Sequence, residues 1–378
     1  MKLLVIAGEV SGDQHGAGLI RALKKQDEKE IRVFGIGGDN LAAEGMELMY
    51  HISQMAFLGI GEIIRHLPFI RKVHHSVLER AANEKPDCAV LIDYPGFNLK
   101  IAAGLHKLNI PVIYYISPQL WAWGRRRIEK IKKYVNLMLV LFPFEEKFYK
   151  DYGIDAICVG HPLVDKHHPF LPVKDKELNP GHITIGLLPG SRKQEIQSLL
   201  PKMIAAAEML FTAGKIHQAE IIRVNHIPES EYQKYLKPDM DFITVKTEPL
   251  PVCLPRYDAA LVASGTATLE TGYYALPMVI VYMVNKITYF LGRLLVKVPF
   301  IGLVNIVAGS QVSVELIQQD CTPEKMVVEI EELLSRDCNK KTRANLKIIR
   351  EKLGPPGASD KAAKVISGFL KNMKNGPG

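Results

Sequence analysis

The feature that most constrains this chain is a rhythm that runs twice along it. Short apolar runs recur, each followed by a longer amphipathic stretch: Leu3 to Ala7, Val33 to Ile36, Ala89 to Ile92, Val112 to Ile116 and Leu137 to Phe142. Apolar strands alternating with helical sequence are the pattern of βαβ units and a parallel sheet. The rhythm stops at His161-Pro162, and Lys166 to Gly181, with His167, His168, Pro169, Pro172 and Pro180, has no apolar period and reads as a linker. A second series follows at Ile183 to Leu188, Ile221 to Val224, Ile243 to Val245, Ala259 to Ala263 and Met278 to Tyr282. The expectation is an α/β protein with two Rossmann-like parallel-sheet domains: residues 1–165, a linker at 166–181, and residues 182–378 with terminal helices. Two such sheets facing one another place their strand-end loops around a central cleft, where open parallel sheets bind ligands.

Composition supports two cores, since 378 residues at 47% hydrophobic and 23% charged supply enough apolar surface to exclude a disordered or low-complexity chain. Forty-eight Lys and Arg against 40 Asp and Glu give a net charge of +8. That sign attracts phosphates, nucleotides, nucleic acid or an anionic bilayer without choosing among them. Five cysteines without a C-x-x-C pair argue against a disulfide framework or a zinc ribbon and fit a reducing cytoplasm. The opening apolar run is too short for a signal peptide, and no 18-residue stretch is free of charges and helix breakers, so a soluble or peripheral protein is expected.

In the first half, the loop Gly8-Glu9-Val10-Ser11-Gly12-Asp13 follows the first strand and opens a helix. It is not G-x-G-x-x-G, so it reads either as a ligand loop or as an ordinary strand-to-helix turn. Ile92-Asp93-Tyr94-Pro95 places a carboxylate just past an apolar strand. Partial burial there would raise its pKa and suit a general base, while a turn cap before Pro95 accounts for it equally well. Ser117-Pro118 leads to Trp121-Ala122-Trp123 and the triple arginine 125–127, which can meet a phosphate and a sugar or lipid, or be buried indoles beside a solvated basic turn.

In the second half, Leu188-Pro189-Gly190-Ser191-Arg192 ends a strand and enters a helix. Backbone N–H groups and a guanidinium there can dock a phosphate. Ser264-Gly265-Thr266-Ala267-Thr268-Leu269-Glu270 repeats the design, with Glu270 one turn in, where it can reach a ribose diol. Two such loops in one domain favour a nucleoside-diphosphate site over two unrelated helix caps. No G-x-x-x-x-G-K-[ST] or G-x-S-x-G occurs, which excludes a P-loop and a nucleophile elbow. Asp239-Met240-Asp241 and the histidines lack metal-ligand spacing, and His74-His75 and His167-His168 read as surface residues. Phe57 to Val73 and Ile287 to Val304 are apolar yet studded with cations, as suits an anionic bilayer, acyl chains or two buried helices.

Ala7-Gly8-Glu9-Val10-Ser11-Gly12-Asp13, Ser117-Pro118 with Trp121-Ala122-Trp123, Gly160-His161-Pro162-Leu163-Val164-Asp165, Leu188 to Arg192 and Ser264 to Glu270 together resemble lipid-A-disaccharide synthase. Asn305-Ile306-Val307-Ala308-Gly309 and Glu315-Leu316-Ile317-Gln318 also look like that family, and the resemblance spans nearly the whole chain. It implies a GT-B glycosyltransferase, with no metal and no cofactor. UDP-2,3-diacylglucosamine would donate its sugar to 2,3-diacylglucosamine 1-phosphate (lipid X), giving a β-1,6 disaccharide and UDP with inversion. Asp93 matches the family's proposed base, with Glu9 and Asp13 in the neighbouring loop as substitutes. Arg192 and Asn305 match donor-site residues and Ser264 to Glu270 the UDP loop; Ser11, His161, Ser191, Gly265, Thr266, Thr268 and Gln311 complete the expected substrate contacts.

The family often carries a second Asp where this chain has Gly96, and an Arg-Glu pair where it has Ser310-Gln311. The first departure leaves Asp93 as the better base, and the second leaves the contacts near Gln311 open. The resemblance also implies a peripheral cytoplasmic protein on the inner membrane's anionic face, with room for a homodimer and no nucleic-acid partner. A UDP-sugar 2-epimerase of the same fold would use the same cradle without needing a lipid surface. A non-catalytic membrane or nucleic-acid binding module would not need two phosphate loops.

Overall fold

The computed structural model describes residues 1–26, 30–55, 66–118, 120, 127–171, 176–284 and 299–375. The chain forms two compact units, Met1–Lys166 with Pro355–Gly378, and His167–Gly354.

In the first unit the strands are β1 (Lys2–Ala7), β2 (Arg32–Gly37), β3 (Glu47–His51), β4 (Cys88–Ile92), β5 (Val112–Tyr115), β6 (Leu137–Val140) and β7 (Ala156–Cys158). They pair in parallel in the order β3-β2-β1-β4-β5-β6-β7. The middle strands are apolar throughout because helices cover both faces of the sheet: Leu3 to Ala7 and Cys88 to Ile92 are fully buried. The chain builds outward from β1 on one side and then returns to β4 on the other. That reversal opens a crevice between the ends of β1 and β4, where such sheets bind ligands.

The second unit repeats the plan with β8 (Thr184–Leu188), β9 (Gln218–Ile222), β10 (Ile243–Lys246), β11 (Ala259–Ala263), β12 (Met278–Tyr282) and β13 (Val314–Ile317), in the order β10-β9-β8-β11-β12-β13. Its switch point lies between β8 and β11, so the loops after those two strands flank the crevice.

One expectation about the domains is corrected. The last helix, Ala358–Asn375, belongs to the first unit instead of the second. Asp165 draws it there: its carboxylate accepts the N–H groups of Gly357 (2.6 Å), Ala358 (3.1 Å) and Ser359 (2.9 Å), capping the helix from a distant part of the sequence. The helix then packs on Val10–Gln26, where Gly18 leaves room for Ser359; a Cβ at that glycine would stand 3.1 Å from the serine Oγ. The boundary between units falls at Lys166 and His167, at the start of the stretch expected as a linker.

Candidate active site

In the first unit, the pairing of Ala7 with Ile92 carries the ends of β1 and β4 out together and brings Glu9 and Asp93 into one crevice. Asp93 and Tyr94 both adopt left-handed backbone conformations, with φ of 45° and 46°. Non-glycine residues hold that conformation only where their surroundings impose it. Here the Asp93 carbonyl accepts hydrogen bonds from Tyr114 Oη (2.6 Å) and Asn98 Nδ2 (2.8 Å). Tyr94 then lays its ring over Gly8, where an added Cβ would stand 2.3 Å from the ring. The glycine is what permits that approach.

The turn presents the Asp93 carboxyl in a crowded pocket that keeps some solvent contact. Burial pushes its pKa up to about 7, and the Glu9 carboxylate adds to the rise. A carboxyl held near neutrality is half ready to take a proton, as a general base requires. Glu9 is exposed at the same rim. Ser11 follows on the first turn of its helix, partly exposed.

Asp13 does something else, which corrects its place among the candidate bases. It is buried, and its oxygens accept from Gly38 N (2.6 Å), Leu41 N (3.1 Å), Asn40 N (3.0 Å) and Asn40 Nδ2 (2.8 Å). A carboxylate committed to four donors caps the helix Asp39–Ala43 and is not placed to accept a substrate proton. His161 is likewise buried and accepts the Leu163 N–H at Nδ1 (3.1 Å), between His15 and Phe142. It shapes the start of the helix Pro162–His167. Sequence reasoning missed Glu145, whose buried carboxylate takes the Ser117 hydroxyl (2.6 Å) and the N–H groups of Leu141 (3.0 Å) and Phe142 (3.1 Å). The Ser117-Pro118 motif is therefore anchored from a helix that follows another strand. Trp121, Trp123, Arg125 and Arg126 lie outside the described residues.

In the second unit the two loops expected to hold phosphate prove unequal. After β8, Glu195 fills the cradle: its Oε2 accepts from Ser191 N (3.0 Å) and Arg192 N (3.3 Å), and its Oε1 from Arg192 Nη1 (3.2 Å). Ser191 and Arg192 are nonetheless exposed. After β11, Gly265 caps the helix Thr266–Tyr273, and no acceptor among the described residues takes the N–H groups of Gly265, Thr266 and Ala267. Gly265 and Thr266 are exposed, and a Cβ at Gly265 would meet open space. This is an open helix N-terminus at a switch point, suited to an anion.

One turn further, Glu270 is partly buried and its Oε1 lies 2.9 Å from His167 Nε2. His167, expected on the surface, is fully buried and also meets Tyr274 Oη at 3.3 Å. Thr268 and Asn305, expected among the substrate contacts, are fully buried as well and their side chains are engaged within the protein. Thr268 Oγ1 donates to Gly265 O (2.8 Å). Asn305 Oδ1 accepts from Val312 N (2.9 Å) and Ser313 N (3.0 Å), while Nδ2 donates to Ser313 O and Glu315 Oε1 at 2.8 Å each. Gln311 is exposed beside this knot. Most of Ile287 to Val304 and half of Phe57 to Val73 fall outside the described residues; no described helix is long and apolar enough to cross a membrane.

Two parallel-sheet units of this topology give the chain the GT-B fold, which glycosyltransferases and sugar-nucleotide epimerases share. The fold is shared with the Neisseria meningitidis UDP-GlcNAc 2-epimerase bound to UDP-GlcNAc (TM-score 0.65, 14% identity, 98% of this chain and 100% of that one) and with CalG4, the calicheamicin glycosyltransferase (TM-score 0.63, 14% identity, 100% and 99%). Within the class the chain belongs to the lipid-A-disaccharide synthase family, whose sequence model, described as lipid-A-disaccharide synthetase, matches residues 3–366. It is 40% identical over 376 residues to the lipid-A-disaccharide synthase of Syntrophus aciditrophicus, covering 98% of both chains. It is 38% identical over 374 residues to that of Myxococcus xanthus, covering 98% of this chain and 97% of the relative. Membership makes it a glycosyltransferase; the epimerases share its fold alone.

Proposed function

We propose that this enzyme transfers 2,3-diacylglucosamine from UDP-2,3-diacylglucosamine to the 6-hydroxyl of 2,3-diacylglucosamine 1-phosphate, forming the β-1,6 disaccharide and releasing UDP. The observation that carries this reading is the open N–H array of Gly265, Thr266 and Ala267 with Glu270 one turn further on. The array offers fixed dipoles to the diphosphate as negative charge grows on departing UDP, and Glu270 accepts from the ribose diol. Ser191 and Arg192 add a second set of donors to the phosphates, and exposed Gln311 a polar contact to the donor sugar.

The first unit takes the acceptor. Asp93 removes the proton of the attacking 6-hydroxyl, Glu9 tunes Asp93 by its charge, and Ser11 contacts the acceptor at the rim. A single displacement inverts the anomeric centre. The apolar, cation-bearing sequences at 57–73 and 287–304, with a net charge of +8, suit a peripheral enzyme on an anionic membrane surface, on the cytoplasmic face of the inner membrane.

The test is to incubate the protein with UDP-2,3-diacylglucosamine and with UDP-GlcNAc, each with and without the acylated 1-phosphate acceptor. Release of UDP only with the diacylated donor and acceptor together supports the reading. Acceptor-independent inversion at C2 of UDP-GlcNAc would replace it with an epimerase.

A further inference from the structure

The Glu315-Leu316-Ile317-Gln318 motif of β13 touches none of the groups assigned to substrate, yet two of its side chains cross to the backbone that precedes the strand. Gln318 pairs with Val284 as one peptide group would with another, accepting the Val284 N–H at 3.1 Å and donating to its carbonyl at 2.9 Å. Glu315 accepts from Ile301 N (2.9 Å), Gly302 N (2.8 Å) and Asn305 Nδ2 (2.8 Å). Three donors converge on one carboxylate, and Asn305, whose own amide is fully used, fixes the third.

The turn that Glu315 holds is gripped on its other side by the loop after β11. Ser264 Oγ donates to Ile301 O (3.2 Å), and Val304 N donates to Thr268 Oγ1 (3.4 Å), the hydroxyl that in turn donates to Gly265 O (2.8 Å). Packing leaves the turn little slack. A Cβ at Gly302 would stand 2.4 Å from Ile280 Cδ1, and one at Gly272 would stand 2.6 Å from Val304 Cγ2. A shift of residues 301–304 is therefore passed to Ser264 and Thr268, the residues flanking the open N–H groups of 265–267.

We infer that Glu315 is a positioning residue for the donor diphosphate loop, acting through the Ile301–Val304 turn. The inference rests on the reading of residues 264–270 as the UDP loop. It requires a carboxylate in particular, because two consecutive backbone N–H groups and an amide N–H need acceptors on both oxygens, and glutamine would oppose one of those donors with its own N–H.

The experiment is calorimetric titration of UDP and UMP into wild type, Glu315→Gln, Ser264→Ala and the double variant, with Glu270→Ala as control and thermal melts alongside. An unsatisfied buried donor is expected to weaken UDP about tenfold in Glu315→Gln, with UMP affected by less than about twofold. Because the effect passes through Ser264, the two single losses should fail to multiply in the double variant. Wild-type UDP affinity in Glu315→Gln, or losses that multiply, overturns the positioning role. If Ser264→Ala and Glu270→Ala also bind UDP normally, it is the UDP reading that falls; if only Glu315→Gln does, that reading stands. Should Glu315→Gln not fold, Glu315→Asp, which keeps the charge and falls one methylene short, takes its place under the same criteria.

Discussion

His167 Nε2 lies 2.9 Å from Glu270 Oε1, and the imidazole is fully buried while the carboxylate keeps an exposed edge. On the proposed reading of Glu270 as the ribose acceptor, the pair presets it: one oxygen is held by the ring before a ribose arrives. Removing the ring leaves a partly buried carboxylate without that hydrogen bond, which costs about 1.5–3 kcal/mol for a charged acceptor. His167→Ala should therefore melt lower and bind UDP roughly tenfold more weakly, with inorganic pyrophosphate affinity unchanged. Pyrophosphate affinity falling in step with UDP would show a disordered loop instead of a lost ribose contact.

As the proposed general base, Asp93 is expected to carry the pH dependence of turnover. Its carboxyl rises from 3.8 to about 7 through burial first and the Glu9 charge second, so turnover should climb with pH through that region and level off above it. Asp93→Asn should lower turnover by roughly 10²- to 10⁴-fold and leave UDP affinity unchanged. Stability must move the opposite way. Because the folded protein holds this proton more tightly than the unfolded chain, the contribution of Asp93 is full below 3.8 and is lost as pH rises through about 7. Melting temperatures should then favour Asp93→Asn over wild type increasingly across that window. Glu9→Gln removes a neighbouring negative charge and should move the midpoint of the rate profile to lower pH; an unmoved midpoint would detach Glu9 from Asp93.

Asp13 gives the contrasting case. Asp13→Asn puts an N–H among four donors, so a loss of about 1–3 kcal/mol in chemical denaturation is expected. The midpoint of the rate profile should stay with the wild type. If the variant is as stable as wild type but inactive, proton transfer belongs to Asp13 and the capping role is secondary.

Much of this architecture was legible because parallel strands covered on both faces are written as uninterrupted apolar runs, and all ten runs singled out in the sequence correspond to strands. The three strands passed over, β3, β7 and β13, fail that test for a physical reason. They are edge or short strands with partly exposed residues, and β13 places Glu315 in its middle, where it serves as a hydrogen-bond hub. Asp93 at the end of an apolar strand was visible, and so was the loop after β11. What the sequence did not separate was a carboxylate left open at a strand end from one committed to backbone donors. Asp13, Glu145, Asp165, Glu195 and Glu315 all satisfy N–H groups remote in sequence or a turn away, and no local periodicity marks that use. The His167–Glu270 pair was hidden for the same reason, since it joins residues 103 positions apart.

Glu195 makes the loop after β8 the more contested half of the proposed donor site. A helix N-terminus attracts an anion, and here the chain supplies one: both Ser191 N and Arg192 N donate to Glu195 Oε2, and the Arg192 guanidinium reaches Oε1. Gly190, at φ 104°, admits the carboxylate, since a Cβ there would stand 2.2 Å from Oε2. A phosphate entering this loop competes with Glu195 for the same donors. Glu195→Ala should therefore act in two directions at once, lowering stability by about 1 kcal/mol through loss of the cap while strengthening UDP and pyrophosphate binding. Arg192→Ala should weaken UDP by less than the ~1.5–3 kcal/mol of an unopposed charged contact, and should cost more in the Glu195→Ala background, where the guanidinium is released for the ligand. Titrating UDP into the two single variants and the double completes the cycle. If Glu195→Ala weakens UDP as much as Arg192→Ala does, and the double is no worse than either, then Glu195 arranges Arg192 for the phosphate instead of standing in its place, and the competition between carboxylate and phosphate at this helix terminus is refuted.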